Sequence, residues 1–169
     1  MMQINRVLVT IFLLIFVAAC SNTTDKSLYE SAKQKITEGD YQAALADFKT
    51  LSNDFPESNY LAAVKFEMGK MYQGFVVPNI SKSESLNEAV KFYTDVYESY
   101  PDSMQAVNAL FMIAFLQANE LKNLDAAKDA YVKFIERYPD HELAVSARAE
   151  LDNLGKSPEE ILQEKINQK

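Results

Sequence analysis

The chain has 169 residues, 48% of them hydrophobic, and carries 17 basic against 24 acidic side chains for a formal net charge of −7. That balance argues against nucleic acid or an anionic lipid surface as partner. A single cysteine and a single histidine exclude a disulfide framework and a zinc site of the usual ligand set.

Met1 to Arg6 is a short, mildly positive start, and Val7 to Ala19 is an apolar run ending in small residues. This layout reads as a secretory signal peptide over residues 1–19. The run is too short to span a bilayer as a helix, which takes about 20 residues. Val17-Ala18-Ala19-Cys20 resembles the bacterial lipobox, with Val17 in place of the commoner leucine. The resemblance implies that cleavage falls before Cys20, that its thiol takes a diacylglyceryl group, and that its new amino group is open to acylation, for instance by palmitate. The competing reading is an ordinary signal peptide that leaves a stray thiol, a liability in an oxidising compartment. Two or three acyl chains suffice for stable anchoring. Residues 20–27 start polar and small and read as a flexible tether. Ser21 follows the lipid-bearing position, where Gram-negative lipoproteins retained in the inner membrane carry aspartate. It therefore implies an outer-membrane destination.

About 145 residues remain, one ordinary domain over 28–169. Leu28 to Glu38 is predicted as a helix ended by Gly39. Three prolines then recur in one context: Phe55-Pro56-Glu57, Tyr100-Pro101-Asp102 and Tyr138-Pro139-Asp140. Eight residues before each lie Phe48, Tyr93 and Tyr131; twelve before, Ala44, Ala89 and Ala127; five before, Leu51, Val96 and Phe134. Sixteen before lie Asp40, Ser85 and Asn123, each a good N-cap. The spacing predicts helices of about 14 residues with one apolar face. Each stops at the residue before proline, which is pushed out of the α region.

Between them, Leu61 to Tyr72, Met104 to Ala118 and Glu142 to Leu154 also read as helices. The insertion Gln73 to Ser81 carries Phe75, Val76, Val77 and Ile80. Two readings stand open: these residues pack back over the first hairpin, or they form a partner-binding loop. Ser85-Leu86-Asn87-Glu88 reads as a capping box that restarts the next helix. Ser157-Pro158-Glu159-Glu160 starts a last, capping helix whose Ile161, Leu162 and Ile166 are expected on the final hairpin. No stretch of the mature chain alternates with period two. The fold class is all-α, as stacked antiparallel helical hairpins: an α-solenoid of about three repeats plus a capping helix.

The prolines are 45 and 38 residues apart, within the range of helical repeats. Ala44-Phe48-Pro56, Ala89-Tyr93-Pro101 and Ala127-Tyr131-Pro139 resemble the second-helix signature of the tetratricopeptide repeat. Met68-Gly69-Lys70-Met71-Tyr72 resembles its first-helix signature, which departs to Ile113-Ala114 with Gln117 in the next copy. Together with the lipobox, the repeats resemble the outer-membrane assembly lipoprotein family, BamD, in shortened form. That resemblance implies a non-catalytic scaffold on the periplasmic face of the outer membrane, with no cofactor beyond the lipid on Cys20. Its partners would be proteins, a β-barrel insertase among them. Similar repeats occur in the periplasmic coordinator of the Tol-Pal system and in lipoproteins that assist pilus secretins.

Carried over relative to Gly69, the family's groove positions fall on Ala63, Phe66, Lys70 and Gln73. Relative to Ala114 they fall on Asn108, Phe111, Phe115 and Asn119. Core packing competes for the three phenylalanines, so the polar four are the better indicators. No catalytic constellation or Gly-rich phosphate loop is present in the sequence. His141 reads as a surface or capping residue. From another class, a small-ligand carrier or an enzyme would need a closed apolar pocket under the Phe75 loop.

Overall fold

The computed structural model describes residues 23–167, for Lys165 the backbone alone. The expected leader over 1–19 and Cys20 lie outside the described residues. In chain order the helices are α1 (Asp25–Glu38), α2 (Tyr41–Asp54), α3 (Leu61–Gln73), α4 (Lys82–Ser99), α5 (Met104–Asn119), α6 (Leu124–Arg137), α7 (Leu143–Asp152) and α8 (Pro158–Asn167). The described residues contain no strand.

Local chemistry sets most of the boundaries. Asp40, Ser103 and Asn123 accept hydrogen bonds from the amides of Ala43, Ala106 and Ala126 at 3.1, 3.2 and 3.3 Å. Such bonds satisfy N–H groups that a helix start leaves unpaired. At the other end, Phe55, Tyr100 and Tyr138 each leave the helical region with φ between −129° and −131°. The next residue is proline in all three, whose ring clashes with a helical predecessor. Gly39, at φ 81°, closes α1 in the left-handed conformation, which costs glycine nothing.

α1 pairs with α2, α3 with α4 and α5 with α6; α4 packs on α5, and α7 closes on α6. All nine register residues at the three offsets before proline are fully buried. Their side chains join three apolar clusters that run along the stack: one among α1, α2 and α3, one where α4 meets α5, and one among α5, α6 and α7. Burying each large one contributes about 2–3 kcal/mol relative to exposure.

Three expectations are corrected, and the insertion divides between its two readings. The tether does not extend to residue 27, because α1 already begins at Asp25. Thr24 and Ser27 form a reciprocal capping box there, at 3.0 and 2.9 Å. Ser85 is not a cap. α4 starts a turn earlier, at Lys82, capped by Ser81, whose hydroxyl accepts from Glu84 N at 3.1 Å. Ser85 is buried inside the helix and donates to the Tyr72 carbonyl at 2.6 Å. In the insertion, Val76 and Val77 pack on the first core cluster, but Phe75 is 47% exposed. The capping box before α8 forms, with bonds of 2.7 and 3.2 Å between Ser157 and Glu160. Yet Leu162 and Ile166 stay exposed, and only Ile161 is half-buried, beside Leu124 and Leu154.

Candidate partner-binding groove

The first helices of successive hairpins form one wall. α3 contacts α5, and Lys33 on α1 reaches Glu67 on α3. The eight expected groove residues sit on α3 and α5, but they differ in availability.

Phe66 is half-buried with its ring centroid 5.3 Å from that of Tyr93. Phe115 packs against the same α4–α5 cluster. Phe111 sets its edge on Tyr131 and Phe134, at 6.1 and 5.7 Å. All three phenylalanines are therefore partly committed to the core seams. Gln73 is half-buried and its Oε1 accepts from the Tyr93 hydroxyl at 2.7 Å. Burial, followed by the charge of Glu67, raises that tyrosine above its ordinary titration range. Lys70, Asn108 and Asn119 are exposed, and Ala63 is half-buried. Asn119 donates to its own helix, at Phe115 O, 3.2 Å away.

Two residues absent from the sequence expectation complete this wall. Glu67 Oε1 accepts from Lys33 Nζ at 2.7 Å, and its Oε2 accepts from Lys70 Nζ at 2.9 Å. Burial works to raise the Glu67 titration, but the hydrogen bonds and charges of the two lysines outweigh it and hold the carboxyl below its ordinary value. The Glu67-to-Lys70 spacing of three is a helical neighbour pair readable from sequence. Lys33 lies 34 residues earlier, and no local pattern announces it.

Hollows on the surface are open and mixed in polarity. One of about 410 Å³ lies between the Pro56 and Pro101 turns. Another, of about 380 Å³, runs from Asn119 and Lys122 to Asn153 and Ile161. Neither is lined by Phe75, which has Lys82 Nζ 5.5 Å from its ring centre. His141 Nδ1 accepts from Leu143 N at 3.2 Å, a capping role at the start of α7. Among the described residues, no group of three or more His, Cys, Asp and Glu is placed to hold a metal ion.

Stacked hairpins with a continuous wall of first helices define a repeat solenoid of the tetratricopeptide type. The family model for the outer membrane lipoprotein YfiO matches residues 21–157, and the chain belongs to that family. No curated protein gives a significant match.

Proposed function

We propose that the chain is a non-catalytic scaffold, held by lipid on Cys20 at the periplasmic face of the outer membrane. It binds protein partners along the α3–α5 wall during outer-membrane protein assembly. The observation that carries this reading is the family match, which begins at the residue after Cys20. In this reading residues 1–19 are cleaved, Cys20 to Thr24 form the tether, and the lipid is the one prosthetic group. No described helix is long and apolar enough to cross a membrane, which is compatible with anchoring through lipid. The partner proposed is a β-barrel insertase, bound over Ala63, Phe66, Lys70, Gln73, Asn108, Phe111, Phe115 and Asn119.

The test is capture of the lipoprotein from mildly solubilised envelopes, followed by mass spectrometry. A β-barrel insertase in near-equal amount supports the reading. Tol components or a secretin instead would move the chain to division or secretion. For the anchor, Cys20→Ser is expected to abolish membrane fractionation; a variant that still pellets after a salt wash would refute the lipid assignment.

A further inference from the structure

Lys33, Glu67 and Lys70 form a charged junction where α1 meets α3. The Glu67 side chain is 14% exposed, whereas those of Lys33 and Lys70 are 41% and 53% exposed. The carboxylate is thus turned inward and both ammonium groups reach solvent. The junction holds one surplus positive charge on a chain whose net charge is −7. Each ammonium has three N–H donors, and the bond to Glu67 occupies one. The neighbouring acids on α1 are engaged along their own helix, Glu30 with Lys26 at 3.6 Å and Glu38 with Gln34 at 2.7 Å. Phe66, one helical turn before Lys70 on α3, shares an apolar cluster with Phe115 of α5, and both are half-buried.

We infer that this groove selects a partner segment carrying an aspartate or glutamate beside an apolar residue. The partner's carboxylate accepts from Lys33 and Lys70 together, while the apolar residue covers Phe66 and Phe115. Glu67 stays in place as their internal carboxylate, so that the partner's carboxylate meets the one surplus positive charge. The inference rests on the groove reading above and adds the chemistry of the partner. Complementary charge of this kind selects partners and speeds encounter.

The test uses a random peptide display library, selected against the full-length lipoprotein in detergent micelles. Peptides enriched in Asp or Glu next to Leu, Ile or Phe are expected. The best of them should bind a Lys33→Gln, Lys70→Gln variant about tenfold more weakly and lose most of its salt dependence there. Lys33→Arg with Lys70→Arg should restore binding. Glu67→Gln, which leaves both lysines without their internal carboxylate, should tighten binding about threefold; lysines with a purely structural role would not produce that gain. Far-UV circular dichroism reports whether each variant remains helical. Selected peptides without acidic residues, yet lost on Asn108→Arg, would overturn the acidic preference and leave the groove reading standing. Peptides indifferent to every α3 and α5 substitution, or no enrichment at all, would overturn both.

Discussion

At the crossing of the second hairpin a glycine meets a tyrosine; at that of the third an alanine does. A Cβ on Gly69 would lie 2.7 and 2.9 Å from ring carbons of Tyr93, inside any real contact distance. The tyrosine ring fills that space, and its hydroxyl reaches Gln73 at 2.7 Å. Ala114 and Tyr131 occupy the matching places in the third hairpin, both fully buried in one cluster. There the buried hydroxyl of Tyr131 has no hydrogen-bond partner among the described residues; Ala118 stands where the second hairpin has Gln73. The first hairpin uses Phe48 at the same register, with no hydroxyl at all. The ring is thus what the architecture requires at this position, and the hydroxyl stabilises only where an acceptor accompanies it.

This contrast can be broken most forcefully at Gly69. Gly69→Val should destabilise by about 3 kcal/mol through overpacking against Tyr93, whereas Ala114→Gly should cost only about 1 kcal/mol. Urea denaturation compares the two, and equal midpoints would mean that the close approach imposes nothing. Next, Tyr93→Phe should cost about 1–2 kcal/mol by leaving Gln73 unpaired, while Tyr131→Phe should be neutral or slightly stabilising. A smaller effect sharpens the comparison. Ala118→Gln borders the cleft at the end of α5 and has room to supply the missing acceptor. In a double-mutant cycle with Tyr131→Phe it should show a coupling of about 0.5–1 kcal/mol, and zero coupling would show that the two crossings are not equivalent.

The smallest expected effect lies in pH. Glu67 is held below its ordinary value in the folded chain, so the unfolded chain binds its proton first as pH falls. Its contribution is complete above the ordinary carboxylate range and is lost as pH drops through the depressed folded value. Thermal melts between neutral and acidic pH should therefore fall more steeply for the natural chain than for Glu67→Gln. Parallel curves would remove Glu67 from the α1–α3 junction.

The proline register was legible because proline, its preceding aromatic and the buried face obey local rules. The same register misplaced the start of α4. Ser81-Lys82-Ser83-Glu84 offers equivalent cap chemistry one turn earlier, and Ser85 is needed inside to hold the Tyr72 carbonyl. Ala32, fully buried in the same cluster as Phe48, is the small residue of α1 that the repeat signature did not reveal. On the groove, helical periodicity marks Phe66, Phe111 and Phe115 as apolar, but it does not separate an open wall from a seam between helices. The Lys33 link depends on how α1 is laid beside α3, which no spacing within one helix encodes.

The sparse seating of α8 has a kinetic consequence. Its starting cap and the Lys156–Glu164 pair at 2.7 Å are local, and its Leu162 and Ile166 find no core. In a solenoid each unit is stabilised by its neighbours alone, so opening propagates inward from the weakest end. Amide exchange should follow that order, fastest in α8, slower in α7 and slowest in α3 to α5. A protease acting near Gly155 should then clip the terminal helix while leaving the central hairpins folded.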